Sequence, residues 1–445
     1  MRLRYCLLAA AAMLAAPAQA EPDYATAVRA DYKAQLGSLF DEFHRNPELS
    51  FQETRTAARM AAELRKAGAT VTERVGGTGV VGIMRNGDGP VVLVRADMDG
   101  LPVEERSGLA NASKARQTGA DGVDYPVMHA CGHDVHITSM VGTANRLAAM
   151  KDRWKGTVLF VVQPAEERVG GAKAMIADGL YTRFPKPDYA LAFHVAAQLP
   201  SGMVSASDGI QYSSSDSLDL TVFGVGTHGA APHMGKDPVY IASQIVVGLQ
   251  SIVSREVGPL SPAVITVGSF HSGSKHNIIS DRADLQITVR ANDETTRAQL
   301  IAAIERVAKN VARAHGVAED RLPSVKVIEG TPTTINDAAL AKRLNATLVE
   351  TLGADAFMPY QQDSMGAEDF AYFVQPDTGV RGYYFAVGGT PKAAIDAAKA
   401  GGPPVASHHS PLFRIDPEPS VTTGTIGMTA AVLELLKPGQ ATAAQ

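Results

Sequence analysis

One apolar run in the middle of the chain restricts the folds that this sequence can adopt. Residues Thr157–Gln163 read Thr-Val-Leu-Phe-Val-Val-Gln, a hydrophobic segment of strand length without polar alternation. A strand that is apolar on both sides must be covered on both faces, as in the sheet of an α/β domain. Segments with strand or helix periodicity flank it. Strands are predicted at Val80–Met84 and Val91–Ala96, and helices at 24–45, 51–68, Ile137–Met150 and Gly171–Asp178.

The sequence pattern changes near residue 215 and returns near residue 331. A chain of 445 residues exceeds one hydrophobic core, so more than one domain is expected. We predict a main domain in two parts, 21–214 and 331–437, with a small α+β domain inserted at 215–330. The predicted inserted elements are strands at Leu218–Gly224, Ala263–Phe270 and Ala283–Arg290 and helices at Pro238–Val253 and Glu294–His315. A helix near Asn336–Leu352 and a strand near Tyr383–Val387 resume the α/β pattern.

Two segments at the chain ends are predicted to lie outside this fold. Residues Met1–Arg4 carry two arginines, Cys6–Ala16 is apolar, and Ala18-Gln-Ala20 has small residues at a cleavage spacing. This order is that of a secretory signal peptide at residues 1–20, cleaved between Ala20 and Glu21, and it predicts a periplasmic or secreted protein. The tail 438–445 is of low complexity and is expected to be disordered.

Composition argues against one class of partner and makes one cysteine unusual. The 41 Lys and Arg residues are outnumbered by 46 Asp and Glu residues, without basic runs, which argues against a nucleic-acid partner. No segment after the signal peptide predicts a membrane span. Cys131 is the one cysteine left once Cys6 is removed, so the mature chain has no internal disulfide. Such a thiol is expected either to be buried and inert or to have a chemical role in the protein.

Potential metal ligands and acid–base groups concentrate in short segments. Residues 129–136 read His-Ala-Cys-Gly-His-Asp-Val-His, in which Cys131 and His133 can converge on one metal ion. Glu166 and Glu167 follow the apolar strand, and adjacent carboxylates repel each other unless a cation or a proton offsets them. One of the pair is therefore interpreted as a metal ligand and the other as a general base.

Three weaker segments add candidates. Asp97 and Asp99 follow a predicted strand and, at i and i+2, face the same side of an extended chain. His194 closes an apolar run, and His408 and His409 lie in a loop rich in Gly and Pro. Taken alone, each has an ordinary explanation as a solvated turn, a core histidine or an exposed loop histidine.

The inserted domain and one loop carry further polar residues. His228 and His233 lie in a segment of small residues, and Asn277 precedes a short apolar stretch. The polar, Gly-rich stretch 105–125 is predicted to be a surface loop just before the Cys-Gly-His segment, where it could reshape a substrate entrance.

Together these segments resemble the co-catalytic metallohydrolase family that includes aminoacylases, glutamate-releasing carboxypeptidases, hippurate hydrolase and auxin-conjugate amidohydrolases. The resemblance is closest to the amidohydrolase branch and runs in order from about residue 35 to 435. It implies a mixed-sheet, zinc-peptidase-like α/β catalytic domain with an inserted α+β lid and dimerisation domain. Six motifs carry it: Arg95-Ala-Asp-Met-Asp99, Met128-His-Ala-Cys-Gly-His-Asp134, Gln163-Pro-Ala-Glu-Glu167, Gly170-Gly-Ala-Lys-Ala-Met175, His228-Gly-Ala-Ala-Pro-His233 and Ala367-Glu-Asp-Phe370.

The resemblance also implies a role for individual residues. Two divalent metal ions per subunit are expected, zinc first because of the cysteine ligand, with manganese or cobalt also acceptable. The implied ligands are Cys131, His133, Glu167, His194 and His409. Glu166 matches the general base, His228 a substrate-contacting histidine, and Asn277 and His233 substrate-binding groups. The wider family has His-x-Asp where this chain has Asp97-Met-Asp99, so we interpret both carboxylates as supports of the ligands.

The implied reaction is hydrolysis of an amide bond in an N-acyl amino acid or a short peptide. Two ions would lower the pKa of a bridging water, Glu166 would take its proton, and His228 would donate to the oxyanion. Two alternatives remain, a thiol hydrolase that uses Cys131 as nucleophile and a binding protein without catalysis. In relatives that dimerise through the insert, its histidine reaches the partner's site, so a homodimer is expected, with His228 acting within or between subunits.

Overall fold

Eight strands form a mixed sheet through the centre of the larger domain. The computed structural model describes residues 23–439, so the predicted signal peptide and the last residues of the predicted tail lie outside the described residues. The strands follow one another across the sheet in the order Thr70–Val75, Gly79–Asn86, Gly156–Gln163, Val91–Asp97, Tyr189–Pro200, Arg381–Thr390, Val204–Ala206 and Phe357–Pro359. The four central strands, from Gly156–Gln163 to Arg381–Thr390, are parallel. The prediction of an α/β fold is confirmed.

Helices cover both faces of this sheet, as its apolar strands require. One face packs against Gly37–Arg45, Thr54–Lys66, His133–Ala149, Ala338–Leu352 and Pro417–Leu435. The opposite face packs against Gly171–Ala177, Leu180–Arg183 and the 3₁₀ segment Asp369–Val374. Two further helices lie at Asp23–Asp31 and Lys392–Lys399, and a π-helical turn at Tyr32–Leu36 joins the first of these to Gly37–Arg45. None of the helices in residues 23–439 is long and apolar enough to cross a membrane.

The carboxyl ends of the parallel strands bring several candidate residues to one edge of the sheet. Asp97 lies opposite Gln163 of the neighbouring strand, and the strand on its other side carries His194. The strand of His194 does not end there as predicted but continues to Pro200, because Arg381–Thr390 pairs with it along its length. Ligand sites of open α/β sheets lie at this edge.

Two local predictions differ from the structure. The stretch 105–125 is more than a loop, because Arg116–Thr118 and Asp124–Pro126 pair as a short antiparallel hairpin. The edge strand Thr70–Val75 was not predicted, because its sequence is polar and most of its side chains are partly or fully exposed. An edge strand needs only one pairing partner and no apolar face, so its sequence carries a weak signal.

The inserted unit is a four-stranded antiparallel sheet with two helices on one face. The strands lie in the order Ala263–Ser272, Arg282–Ala291, Ser214–Phe223 and Ser324–Thr331. Helices Pro238–Ser251 and Glu294–Ala314 pack on alternate residues of these strands through a hydrophobic core of their own. The prediction of a separate, smaller α+β unit is confirmed, and its sheet is antiparallel.

Candidate metal centre

A glycine turn separates the two candidate ligands of the Cys-Gly-His segment. Gly132 has a φ of +86° and precedes the helix His133–Ala149. A Cβ at this position would lie 2.3 Å from a methyl group of Val195, so only glycine fits the turn. The chain reverses here, with Cys131 before the turn and His133 at the first helical position. Both side chains are buried.

Backbone carbonyls fix the ring orientation of two candidate histidines. The Nδ1–H of His133 donates to the carbonyl of Asp99 at 2.9 Å. The Nδ1–H of His194 donates to the carbonyl of Val195 at 2.7 Å. Each bond places the proton on Nδ1 and leaves the lone pair of Nε2 directed into the site, which is how proteins orient imidazole ligands. The Nε2 atom of His133 is buried and has no hydrogen-bond partner among the described residues.

The turn that carries Glu166 and Glu167 is strained and held by two carboxylates. Ala165 has a φ of +47°, a left-handed conformation that is unfavourable for a residue with a side chain. Its amide donates to the carboxylate of Glu53 at 2.9 Å. The amides of Glu166 and Glu167 donate to the two oxygens of Asp99, both at 3.1 Å. Three consecutive amides are therefore anchored from outside the turn.

The candidate ligand atoms face one another at short distances. The Sγ of Cys131 lies 3.4 Å from Nε2 of His194. The two oxygens of Glu167 lie 3.8 Å from Nε2 of His133 and 3.4 Å from Nε2 of His409. Cys131, Glu167 and His409 form one group of potential ligands, and His133 with Glu166 and Glu167 forms a second that shares Glu167. His408 belongs to none of the potential ligand groups within residues 23–439, and its Nε2 accepts a hydrogen bond from the backbone amide of Ala197.

These separations fit a metal centre. Ligand atoms that lie about 2.0–2.3 Å from a tetrahedral zinc ion are roughly 3.3–3.8 Å from one another. The three distances above fall in that interval. The orphaned Nε2 of His133 and the orphaned Oε1 of Glu167 are buried and face each other, an arrangement that a bound cation would satisfy. The donor set of sulfur, imidazole nitrogen and carboxylate oxygen is one that zinc prefers.

The charge of the site also favours bound cations. Asp97, Asp99, Glu166, Glu368 and Asp369 are all buried here. Arg95 is the one Lys or Arg residue that is buried within residues 23–439, and it contacts Asp97, Glu368 and Asp369. Burial, followed by the charge of Glu368, raises the pKa of Glu166 well above its usual value. Uncompensated buried carboxylates are unfavourable unless protons or cations neutralise them.

Asp97 and His136 hold each other next to the ligands. The Nδ1–H of His136 donates to Asp97, and its Nε2 accepts from the amide of Val195 at 2.9 Å. Both nitrogens of His136 are therefore engaged, although it lies within a potential ligand group with Asp97, His133 and His194. Asp97 also accepts from Arg95 at 2.9 Å and lies 3.4 Å from Nε2 of His133. Asp97 thus lies beside the candidate ligands and is held by hydrogen bonds from Arg95 and His136.

The three candidates of the inserted domain lie apart from these ligand groups. His228 and His233 are exposed, and Asn277 is partly buried. His228 pairs with Ile278 in a short ribbon and, with Asn277, lines an open cavity of about 770 Å³. The Oδ1 atom of Asn277 is buried without a partner among the described residues. None of the three belongs to a potential ligand group within residues 23–439.

Several residues that shape the site were given no role from the sequence, although Arg95, Glu368 and Asp369 belong to two of the six motifs. Glu53 holds the strained turn, and Arg95, Glu368 and Asp369 form a buried charged network behind Asp97. An arginine inside an otherwise apolar strand is a signal that could have identified Arg95, because a buried charge needs partners. Glu53 carries no such signal, since its partner Ala165 is distant in the sequence.

A thiol, imidazoles and carboxylates converge within ligand distance at the strand ends of an α/β sheet, beside an inserted antiparallel unit. This combination of fold and site defines a metal-dependent hydrolase.

Comparison with known proteins identifies the family. The sequence profile of peptidase family M20/M25/M40 matches residues 93–399, and the chain belongs to that family. Hippurate hydrolase of Campylobacter jejuni is 36% identical over 351 residues, which cover 78% of this chain and 86% of that protein. IAA-amino acid hydrolase ILR1-like 4 of Arabidopsis thaliana is 34% identical over 394 residues, covering 88% of this chain and 84% of that protein.

A solved structure supports the same conclusion. YXEP protein of Bacillus subtilis, described as a dinuclear metal binding peptidase from the M20 family, matches with a TM-score of 0.72 and 26% identity. The match covers 92% of this chain and 99% of that one. The resemblance inferred from the motifs is confirmed, and the protein is a metal-dependent hydrolase of the amidohydrolase and carboxypeptidase type from a family that binds two metal ions.

Proposed function

We propose that the protein hydrolyses the amide bond of N-acyl amino acids or short peptides, with Glu166 as the general base. One observation carries the proposal. Glu167 faces two histidines, at 3.8 Å from Nε2 of His133 and 3.4 Å from Nε2 of His409, whereas its neighbour Glu166 faces only the first of them, at 4.0 Å. This difference supports Glu167 as the ligand and Glu166 as the group that moves a proton.

The ligand residues and the general base would have different roles in the reaction. Cys131, His133, Glu167, His194 and His409 would hold two divalent ions, for which zinc is the first expectation and manganese or cobalt would also fit. Bound ions would polarise the scissile carbonyl and lower the pKa of the attacking water. Glu166 takes the proton of that water and delivers it to the leaving amine nitrogen. Asp99 and Glu53 hold the turn so that Glu166 keeps one orientation.

We propose that the inserted domain supplies the remaining contacts. His228 would donate to the developing oxyanion, and Asn277 and His233 would bind the substrate, which requires the insert to close over the site. The exposure of His228 and the buried, unpartnered Oδ1 of Asn277 support this role. Closure would come from the chain's own insert or from a second subunit, because the sheet of the insert ends in unpaired strand edges that another copy can cover.

A hydrolysis screen tests the proposal. N-acetyl amino acids, N-benzoyl amino acids and dipeptides are incubated with the protein before and after chelation, and with added zinc, manganese or cobalt. Release of the free amino acid that is lost on chelation and restored by metal is expected. No release from any of these substrates by the metal-loaded protein would contradict the proposed function.

One observation favours a second candidate, a thiol hydrolase. The Sγ of Cys131 lies 3.4 Å from Nε2 of His194, a distance at which a histidine can activate a cysteine nucleophile. A thiol hydrolase would keep its activity in chelator and lose it on alkylation of Cys131. A metal-dependent hydrolase would instead lose its activity in chelator and keep it during treatment of the metal-loaded protein with an alkylating reagent.

We also propose that the protein is exported and cleaved between Ala20 and Glu21. The support is the order of charged, apolar and small residues in the first part of the sequence. Fractionation of the cells that express the gene and N-terminal sequencing of the mature protein test this proposal. A mature chain that begins at Met1 in the cytoplasm would contradict it.

A further inference from the structure

The hairpin of strands Arg116–Thr118 and Asp124–Pro126, in the stretch that we predicted to be a loop, forms part of the wall of a cavity next to the candidate metal centre. The cavity has a volume of about 650 Å³ and reaches Glu167, one of the candidate ligands. On one side lie Ala120 and Tyr125 of the hairpin, and on the other Leu101 and Pro102, which follow the Asp97-Met-Asp99 segment.

We propose that this cavity receives the acyl group of the substrate and that the hairpin selects bulky, apolar or aromatic acyl groups. The proposal rests on the proposed function, in which an N-acyl amino acid presents its amide carbonyl to the ligands. The group on the carbonyl side of that amide must occupy space adjoining the metal centre. The cavity provides such space, and small or apolar side chains form most of its wall.

The hairpin is a built wall rather than a loose loop. The side chain of Gln117 accepts from the amide of Leu49 at 2.6 Å and donates to the carbonyl of Gln52 at 3.3 Å. It is thereby tied to the segment in which Ser50 donates to Asp99 at 2.7 Å. Segment 49–52 thus contacts both the hairpin, through Gln117, and Asp99, which anchors the turn of Glu166.

The aromatic ring of the hairpin is also held in place. The hydroxyl of Tyr125 donates to Asp121 at 2.6 Å, across the turn. A Cβ at Gly119 would lie 2.9 Å from the Tyr125 ring, so the ring lies directly against the backbone of the turn. A ring fixed on both sides presents a constant apolar surface to the cavity, which favours binding because little side-chain entropy remains to be lost.

Charge argues that the acyl group, and not the carboxylate of the substrate, occupies the cavity. Two acidic residues, Glu167 and Asp121, line it. Arg168 is the one Lys or Arg residue of the lining. The pKa of Asp121 is lowered mainly by the hydrogen bond from the Tyr125 hydroxyl, and the charge of Arg168 adds a smaller effect. Because a metal ion would offset the charge of Glu167, Asp121 is the acid that would repel a substrate carboxylate here, and this favours the uncharged acyl group.

Matched substrates and variants test the proposal. The metal-loaded full chain is assayed with N-benzoylglycine and N-acetylglycine, which differ only in the acyl group. Ala120→Trp fills the cavity from an exposed position, Tyr125→Ala removes its aromatic wall, and Val123→Ala changes the same turn outside the cavity. For both cavity variants the ratio of kcat/KM for benzoyl over acetyl substrate is expected to fall by about tenfold or more, since pocket contacts discriminate on that scale. Val123→Ala should leave it unchanged.

The outcomes separate this inference from the proposed function. If the wild type hydrolyses both acylglycines and the cavity variants lower both rates equally, the hairpin acts only as a structural support and the inference is wrong. If the wild type hydrolyses neither acylglycine nor any other substrate of the screen, the proposed function fails, and titration calorimetry with benzoate decides the cavity alone. Weaker benzoate binding by Ala120→Trp than by Val123→Ala supports the acyl cavity, and equal binding by both overturns it.

Discussion

The carboxylate of Glu53 accepts a hydrogen bond from the backbone amide of Ala165, a residue 112 positions later in the sequence, at 2.9 Å. The same carboxylate accepts from the amide of Phe51 and from the hydroxyl of Thr78. Ala165 needs this anchor because its left-handed backbone is unfavourable without external contacts. The bond therefore places Glu53 among the groups that position Glu166, although Glu53 does not touch the candidate ligands.

Replacing Glu53 with Ala should reduce both activity and stability. The amides of Ala165 and Phe51 would lose their acceptor, at about 1–3 kcal/mol for each buried group left unpaired. A relaxed turn misplaces Glu166, so kcat should fall by roughly 10- to 100-fold with a smaller change in KM. Glu53→Gln keeps an acceptor oxygen and should recover most of kcat.

Glu48 offers a matched control for that experiment. It is also buried, and its carboxylate accepts from the amides of Arg55 and Thr56 in the first turn of a helix, with no hydrogen bond to the turn of Glu166 among the described residues. Glu48→Ala should lower stability to unfolding by urea with kcat nearly unchanged. Equal losses of kcat in the Glu53 and Glu48 variants would show that Glu53 acts through global stability alone.

Substitution of the two adjacent glutamates should separate catalysis from metal binding. Glu166→Gln keeps the shape of the side chain but cannot accept a proton, so turnover should fall by about 10²–10⁴-fold while metal content stays near that of the wild type. Glu167→Gln should lose metal, because this carboxylate faces His133 and His409. Metal analysis of both purified variants checks the assignment, and loss of metal from Glu166→Gln would reverse the two roles.

Cys131 should resist thiol reagents until the metal is removed. A coordinated thiolate shares its lone pair with the ion and is buried in this site. Labelling of the metal-loaded protein is expected to be slow and to accelerate after chelation. The unfolded chain serves as the reference for full labelling. Rapid labelling of the metal-loaded protein would remove Cys131 from the proposed ligands.

His44 should make stability depend on pH between about 6.5 and 10. Burial alone lowers its pKa, but the hydrogen bond with Asp134 and the nearby carboxylate of Glu105 outweigh burial and raise the pKa to about 10 from an ordinary 6.5. The protonated ring therefore stabilises the fold fully below pH 6.5, and this contribution, on the order of a few kcal/mol, is lost as the pH rises through 10. The neighbouring His129 is buried, which lowers its pKa to about 4, so this ring stays neutral in the same range.

The comparison of wild type with His44→Gln isolates this contribution. Urea midpoints of both proteins are measured at pH 6, 8 and 10, so that the titration of other groups cancels in the difference. The advantage of the wild type should shrink steadily with rising pH. A constant difference across this interval would show that His44 is neutral in the folded protein.

Mixing two inactive variants tests the role proposed for the insert. His228→Ala should lower kcat strongly with intact metal content, because the residue lies outside the ligand groups. If His228 acts in the neighbouring subunit, mixed dimers of His228→Ala and Glu166→Gln regain activity in one of their two sites. No recovery after verified subunit exchange would exclude a shared site, and a monomer in solution would leave only action within one chain.

The sequence by itself determined the α/β class, the inserted unit and the identity of the residues that can hold metal. These features depend on local pattern, because a strand buried on both faces must be apolar and a thiol beside imidazoles and carboxylates has few other uses. Six ordered motifs were specific enough to identify the family, although His194 was wrongly expected at the end of its strand.

Only the tertiary structure decided which atoms of those residues meet and what holds them. The carbonyls that orient His133 and His194, the carboxylates that anchor the Glu166 turn and the hairpin that walls the cavity all depend on contacts between distant segments. Such contacts leave no periodic pattern in the chain, because each is a single polar pair or a single close approach. Their geometry follows from how the sheet, helices and turns pack, and that packing is a property of the whole fold.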